Sequence, residues 1–502
     1  MRSLAFFFTG ALLLLVTQRA RAEVINVTPG DSFTKIEAAK AGDEVVIAPG
    51  TYNFRVHLTE KGTAAAPITI RAQDPTKPPV WDFGDTLVEE APGSYDGGDR
   101  GRGCWQIDGA ENVKISGIVF QHCRNASHNS AGIRYLGGAK ALVVRDSVFR
   151  QNDNGLTGGS ENSEMLVEHC EFDRNGNESA DNPTHNVYIY GGTFSLRYSY
   201  VHDPVQGQNF HIRAHQSSLD YNWFARSKRY EGDLMSDDDE PAGPSTQEML
   251  FRGNVVVQGN PNNKGQIIAV SNDNGLDQLT LKVRLIANTF VVGFAQSSVV
   301  HLDDSDGTKV AEISNNVFSG GKPLEIDNAG GSASGTNNWF VNGTDVGDLT
   351  GSVFGASAPF KDAAKMDFTL APGSNAIGAA STSVLGLPDR EYFQNETIIN
   401  KYRVRASAKD IGAFESTTTG AGLGPYDAAP AGGPEAPGAT PGSSSSSSSS
   451  GGAKAESASG GAADEGGCGC RAARATVLAP SGLVGVGIVA LLARARRRRG
   501  SR

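Results

Sequence analysis

The sequence predicts an all-β fold, specifically a single-stranded right-handed parallel β-helix with an N-terminal capping helix. The first observation is a five-residue pattern that recurs eight times at spacings of 23 to 34 residues, which suits one coil of a β-solenoid. The second is that the segments between are short, β-branched and punctuated by Gly and Asn, which leaves little room for helices. The pattern lies at residues 116–120, 145–149, 168–172, 197–201, 220–224, 252–256, 286–290 and 314–318.

The third position of the pattern predicts an inward-facing corner in every coil. It is occupied in turn by Ile118, Ser147, Cys170, Ser199, Asn222, Asn254, Asn288 and Asn316. A stacked column of Asn satisfies a buried corner, because each amide can donate to the carbonyl of the same residue one coil away. An antiparallel β-sandwich is the alternative fold, but it does not explain an Asn in phase at four successive units.

The two ends of a solenoid expose apolar cross-sections and need caps. Phe33, Ile36 and Ala39 have helical spacing within residues 32–40, and Asp31 or Ser32 is a candidate N-cap. We therefore expect a short helix over the first coil.

Four segments carry a resemblance to a known family. Residues 41–52 (AGDEVVIAPGTY) and 65–71 (AAPITIR) resemble the entry segment of pectate-lyase-like right-handed β-helix proteins. Residues 367–374 and 410–415 resemble the closing segment of such proteins. The resemblance covers Glu23 to about Glu415 and implies the fold, but not one activity, because this fold hosts lyases, hydrolases, epimerases and non-enzymes.

The N-terminus predicts export. Arg2 precedes an apolar run at residues 6–16 that is too short to span a bilayer, and Ala20-Arg21-Ala22 matches a signal-peptide cleavage site. We expect a signal peptide over residues 1–22, cleavage after Ala22, and a β-helix domain over residues 23–415.

The C-terminus combines four features in a specific order. A Gly-, Ala-, Pro- and Ser-rich linker (416–467) precedes Cys468 and Cys470, a short apolar span (477–493) and an arginine cluster. A basic cluster after a span stays cytoplasmic, which leaves most of the chain outside. A plain single-span membrane tail is the alternative.

The order of parts over residues 468–502 resembles the myxobacterial MYXO-CTERM sorting signal. The resemblance implies a C-terminal processing protease and the cell envelope as partners, with attachment or processing at Cys468 and Cys470. The protein would then be exported and either anchored at the cell surface or outer membrane or released, with its C-terminal segment initially in the inner membrane.

Charge and cysteine content exclude some classes. The net charge of −10 and the lack of a basic, aromatic-interleaved stripe argue against a nucleic-acid partner. The body holds Cys104, Cys123 and Cys170, so at least one is unpaired and the chain is not a disulfide scaffold. We predict Cys170 to be a small buried hydrophobe, and we expect a monomer.

Two segments, residues 185–190 and 208–213, align without gaps and predict one polar patch. Period-two alternation turns their aliphatic and Phe side chains inward and sends Tyr188, Tyr190, His211 and Arg213 outward. Since stacked strands lie about 4.8 Å apart, Tyr188 should lie beside His211 and Tyr190 beside Arg213. The same alignment sets Asp237, one coil on, beside Arg213.

The chemistry that fits this patch is β-elimination on a uronic-acid polysaccharide. Arg213 could bind the sugar carboxylate, His211 could be the base with Lys228 as an alternative, and Tyr188 or Tyr190 could donate the proton. Related-looking lyases use a Lys and an Arg as base and acid, and here His211 stands where such a Lys is expected. Further candidates for substrate binding are His185, His215, Arg229 and Tyr230.

A metal is a weaker prediction. The acidic run Asp237, Asp238, Asp239 and Glu240 could hold Ca²⁺, although it lacks ligand spacing and a solvated loop explains it as well.

Two other functions stay open. A surface-tethered β-helix with an aromatic and basic face could bind polysaccharide without cleaving it, as an adhesion protein. A glycoside hydrolase needs two or three close carboxylates; Asp303 and Asp304 are adjacent, but we expect no matching Asp on the next coil.

Overall fold

The computed structural model describes residues 22–94, 101–236, 246–259, 265–272, 280–303, 309–327, 331–394 and 401–417. These residues form three long parallel sheets, here called A, B and C, and successive coils contribute strands to them in turn. The predicted parallel β-helix is therefore confirmed.

Sheet A consists of Val24–Val27, Glu44–Ile47, Ile68–Ala72, Val113–Ser116, Leu142–Arg145, Glu164–Glu168, Thr193–Arg197, Gln216–Asp220, Thr246–Arg252, Thr280–Ile286, Lys309–Ser314 and Ser332–Ser334. Sheet B consists of Thr51–Tyr52, Val80–Asp82, Val119–Gln121, Val148–Arg150, Glu171–Asp173, Tyr200–His202, Trp223–Ala225, Val255–Val257, Thr289–Val291, Val317–Phe318, Trp339–Val341 and Val353–Gly355. Sheet C consists of Val56–Leu58, Gly103–Asp108, Ala131–Leu136, Asn154–Gly158, Val187–Tyr190, Phe210–Arg213, Gly232–Ser236, Gln266–Asn272, Ser298–Asp303 and Lys322–Asp327.

The recurring pattern forms the corner between sheets A and B. Its second residue has a positive φ in all eight units, for example 53° at Asp146, 51° at Tyr198 and 59° at Asn315. One left-handed residue turns the chain sharply, so that the third residue points into the solenoid. All eight third-position residues are buried.

The predicted Asn column stands at this corner. The Asn254 Nδ2 donates to the Oδ1 of Asn288 at 3.1 Å and to the Leu219 carbonyl at 2.7 Å. The Asn254 Oδ1 in turn accepts the main-chain N–H of Asn222 at 2.8 Å. The amides thus stack on one another's side-chain oxygens, and the column continues to Asn338, which the sequence pattern did not include.

A second polar column, which the sequence analysis missed, stands at the corner between sheets B and C. Its side-chain amides donate in series at 2.7 to 2.9 Å, and its members are Asn152, Asn175, Asn186, Asn209 and finally Glu231. We call this series the B–C column.

The interior is apolar and contains stacked rings. Phe149 lies between Phe120 and Phe172 with ring centroids 5.0 and 4.7 Å apart, and a similar stack runs through Phe318. Cys170 is free and buried, as predicted. Cys104 and Cys123, whose state the sequence left open, form a buried disulfide.

The N-terminal helix is a single turn, Thr34–Glu37, shorter than the segment that the spacing indicated. Ile36 and Ala39 are buried in the core. The predicted N-cap is wrong, because Phe33 occupies that position and no side chain caps the turn. The capping role of this turn stays a prediction. The described residues also include the 3₁₀ turns Val88–Glu90 and Ala363–Lys365.

The described residues after the last coil, 356–394 and 401–417, fold back along the A–B corner and sheet B. They contain two antiparallel pairs, Phe360–Asp362 with Asp367–Leu370 and Arg390–Phe393 with Lys401–Val404. The Tyr221 hydroxyl donates to Asp389 at 2.8 Å, and the Tyr402 ring stacks on Tyr198 at 4.7 Å. In the predicted closing segments, the Phe368 ring lies 5.5 Å from the Trp223 ring and the Ala413 N–H donates to the Thr289 Oγ1 at 3.0 Å, so both segments pack against the coils.

Within the described residues, no helix is long and apolar enough to cross a membrane. The predicted signal peptide before Ala22, Cys468, Cys470 and the apolar span 477–493 lie outside the described residues.

We expect Asn288→Ala to lower the free energy of unfolding by about 2–4 kcal/mol. The substitution leaves main-chain and side-chain partners in both neighbouring coils unsatisfied in a buried corner. Denaturant unfolding at neutral pH measures the change, and Asn53→Ala, at an exposed position, is the control. Equal effects of the two substitutions would contradict a stabilising role for the column.

Candidate functional site

The register of sheet C brings the predicted side chains together. Tyr188 pairs with His211, and Tyr190 pairs with Arg213, as the sequence alignment predicted. We call the outward face formed by these four residues and Asp233 the sheet C wall.

The next strand, Gly232–Ser236, is shifted by two residues from the predicted alignment. Gly232 pairs with Phe210, and Asp233 pairs with His211, so the alignment that set Asp237 beside Arg213 is wrong. This register suits a glycine beside the Phe210 ring, because a Cβ on Gly232 would lie 2.1 Å from that ring in the core. Asp237 and the rest of the predicted acidic run, Asp238, Asp239 and Glu240, lie outside the described residues.

His211 and Asp233 form a hydrogen-bonded pair. The His211 Nδ1 lies 2.8 Å from the Asp233 Oδ2, which also accepts the Gln208 amide at 2.8 Å. Asp233 is 2% exposed. A carboxylate at Nδ1 orients the ring, leaves Nε2 to act as a base, and stabilises the imidazolium that forms.

Tyr188 and Arg213 form a second pair next to the first. The Arg213 Nη1 donates to the Tyr188 hydroxyl oxygen at 3.1 Å. The Tyr188 and His211 rings are edge to face with centroids 4.9 Å apart. Both Tyr188 and Arg213 are buried, so the guanidinium faces the phenol oxygen, where it stabilises negative charge that forms when the phenol gives up a proton.

His185 lies behind His211. Their ring centroids are 5.0 Å apart, and the His185 Nδ1 accepts the main-chain N–H of Gln208 at 3.2 Å. Burial, together with the nearby charges of His211 and Arg229, holds the pKa of His185 well below its usual range. His185 is therefore a neutral ring that packs against His211.

The loop before strand Gly232–Ser236 carries three more candidates. Lys228 is exposed, and Arg229 lies 5.5 Å above the Tyr230 ring. Burial and the neighbouring Asp233 raise the pKa of the Tyr230 phenol, which stays protonated. Tyr230 and Arg229 thus border the wall at His185 and Asp233.

His215 faces a different region. It lines a cavity of about 420 Å³ at the corner between sheets C and A, with Glu161, Thr193 and Gln216. A second cavity, of about 670 Å³, lies on sheet A. Neither cavity is lined by residues of the wall.

One described group could offer metal ligands, at the end of sheet B. The ligand atoms of Asp173, His202 and Asp203 lie within 4.8 Å of one another. However, Arg174 bonds to Asp173 at 2.6 Å and Arg226 bonds to Asp203 at 2.8 Å, so guanidinium groups already neutralise both carboxylates. Ca²⁺ takes six to eight oxygen ligands, and this group does not fit it.

Two site features escaped the sequence analysis. Asp233 and Gln208 were missed because the strand alignment was shifted. The expectation that no Asp matches Asp303 on the next coil is also wrong, because Asp303 pairs in register with Asp327.

Comparisons with known proteins found no matching family model and no matching curated protein. Among solved structures, the pectate lyase Pel9A is 13% identical with a TM-score of 0.47, over 79% of this chain and 97% of its own. An alginate lyase from Paenibacillus sp. str. FPU-7 is 14% identical with a TM-score of 0.41, over 66% of this chain and 99% of its own. The tailspike protein of E. coli bacteriophage HK620 is also 14% identical with a TM-score of 0.41, over 63% of this chain and 55% of its own. No activity is carried over at this level of similarity.

We expect His185→Gln to weaken the acid sensitivity of the fold. Native His185 stays neutral, whereas the unfolded chain binds a proton below the ordinary pKa of 6.5, so this residue contributes stability above that pH and loses it as the pH falls. Between about pH 7.5 and about pH 5.5, the wild type should lose about 1.4 kcal/mol more unfolding free energy than the variant.

Denaturant unfolding at the two pH values measures this difference. His57→Gln is the control, because His57 is on the same sheet and its side chain is 24% exposed. An identical pH dependence in the wild type and His185→Gln would show that His185 binds a proton as readily in the native state as in the unfolded chain, which would contradict the prediction.

Proposed function

We propose that the chain binds an acidic polysaccharide at the sheet C wall and cleaves it by β-elimination. The observation that supports this is that two hydrogen-bonded pairs that can transfer protons lie side by side: His211 with Asp233, and Tyr188 with Arg213. The centroids of the Tyr188 and His211 rings are 4.9 Å apart. Such an elimination needs one group that takes the proton next to the sugar carboxylate and another that returns a proton to the leaving oxygen.

In this proposal, the His211 Nε2 takes the C5 proton while Asp233 holds the ring and balances its charge. The C5–H electrons form the C4–C5 double bond, the C4–O bond breaks, and the leaving oxygen takes a proton from Tyr188. Arg213 stabilises the resulting phenolate. Tyr190 is the alternative donor, and Lys228 is the alternative base.

The sugar carboxylate needs a cation at the surface. Arg213 was the candidate from sequence, but it is buried against Tyr188. The partly exposed Arg229 and the exposed Lys228 are better placed to neutralise the carboxylate, and Tyr230 offers a ring for sugar stacking. Ca²⁺ bound by the acidic run at residues 237–240 stays an alternative for this task.

Non-catalytic binding of surface polysaccharide is the second candidate. The burial of Tyr188 and Arg213 supports it, since a substrate would reach mainly Tyr190, His211 and the rim formed by Lys228, Arg229 and Tyr230. Glycoside hydrolysis is a third candidate, supported only by the register of Asp303 with Asp327.

We also propose that the protein is exported, that its N-terminal turn caps the first coil, and that its C-terminal segment is a sorting signal. Processing at the region of Cys468 and Cys470 would place the β-helix at the cell surface or release it. The order of sequence features at both termini supports this part of the proposal.

We expect the full-length protein to release product with an ultraviolet-absorbing double bond from alginate, pectate, chondroitin or hyaluronan. His211→Ala should lower kcat/KM by about a hundredfold or more, because it removes the base, and Arg213→Ala should also impair cleavage strongly. His57→Ala, distant on the same sheet, is the control and should cleave like the wild type.

The other outcomes separate the candidates. Binding of one of these polymers without any product would favour the adhesion protein. New reducing ends without absorbance, lost in Asp303→Asn, would favour the hydrolase. Full activity of His211→Ala would move the site away from this wall.

A further inference from the structure

The B–C column ends on a carboxylate next to the sheet C wall. The Glu231 Oε2 accepts the Asn209 amide at 2.7 Å, and the Oε1 accepts the main-chain N–H of Gly259 at 3.0 Å. The main-chain N–H of Ser227 reaches both oxygens, at 3.1 and 3.2 Å. Glu231 is fully buried.

A carboxylate suits the end of this column. Each Asn passes an N–H on to the next oxygen, so the last member receives a donor and needs none to give. All three partners of Glu231 are donors, and an ionised carboxylate has only acceptors. A Gln at this position would turn its own NH₂ group towards at least one of these N–H groups.

Glu231 also closes the loop that borders the wall. The hydrogen bond from Ser227 to Glu231 spans the three residues Lys228, Arg229 and Tyr230. Ser227 is fixed a second time, because its Oγ donates to the Gly207 carbonyl at 3.0 Å. The loop therefore has its two ends joined through one buried carboxylate.

We propose that Glu231 is a positioning residue that holds Lys228, Arg229 and Tyr230 at the wall for substrate binding. The part of this inference that concerns substrate rests on the proposed polysaccharide site, whereas the part that concerns the loop rests on the hydrogen bonds alone. Glu231 touches neither His211 nor Tyr188 in the contacts of the described residues, so its effect would pass through the loop.

The role in positioning can be separated from a role in stability. Burial raises the pKa of Glu231 to about 7, above the ordinary value of 4.5. The unfolded chain therefore loses this proton at lower pH than the native protein, and the carboxyl costs stability as the pH rises through 7. Glu231→Gln removes the free-energy cost of the buried charge but disturbs the loop. The free energy of unfolding of this variant at about pH 8 should therefore not decrease by as much as the local stability of the loop.

The test is amide hydrogen exchange over residues 226–233 of the full-length protein, compared between the wild type and Glu231→Gln at about pH 8. Exchange in this loop should rise by about tenfold or more in the variant, because in either orientation the Gln NH₂ group replaces one of the two oxygens that accept the Ser227 N–H. KM for the polysaccharide that the wild type cleaves, or Kd for one that it only binds, should rise by about tenfold, with kcat within about threefold.

Glu391→Gln is the matched control, because Glu391 is another fully buried carboxylate, bonded to Arg403 at 2.7 Å away from the wall. Loop exchange within about twofold of the wild type in Glu231→Gln, or an equal rise in Glu391→Gln, would overturn the inference. If the wild type neither binds nor cleaves any polysaccharide, the proposed function fails, and the exchange result alone decides whether Glu231 holds the loop.

Discussion

The whole solenoid depends on how its coils satisfy polar groups at the corners. A coil that turns through a left-handed residue leaves main-chain groups facing the interior, where water cannot reach them and an unpaired group costs about 1–3 kcal/mol. Stacked Asn side chains satisfy these groups at two corners, because each amide accepts an N–H from the preceding coil and donates to the following coil. These side chains thereby link each coil to the next along the two columns.

The register in turn creates the candidate site. Two adjacent coils place Tyr188 beside His211 and Tyr190 beside Arg213, and the third adds Asp233. None of these pairs is near in sequence, so the site exists only while the coils stay in phase. The phase of the third coil, in which Gly232 pairs with Phe210, brings a carboxylate, Asp233, to the histidine.

The sequence was informative where spacing is regular. The five-residue pattern of the A–B corner predicted the fold and the Asn column. The ungapped alignment of residues 185–190 with 208–213 predicted the pairing of Tyr188 with His211. The B–C column escaped detection because its members are 23, 11, 23 and 22 residues apart: the loop between Asn175 and Asn186 brings both into one column. The place of Asp233 escaped because side-chain packing fixed it, and the burial of Arg213 escaped because alternation shows which way a side chain points but not what covers it.

The B–C column also connects the fold to the candidate site, because its last member lies next to the sheet C wall. A chain of amides that each donate forward can end on a group that only accepts, and this column does so at Glu231, two residues before Asp233. The coil in which the Asn series stops also supplies the carboxylate for His211. Because the same acceptor closes the loop of Lys228, Arg229 and Tyr230, a single carboxylate serves both the corner of the solenoid and the edge of the wall. The cost of burying its charge is consistent with a function at this coil that an ordinary corner residue would not provide.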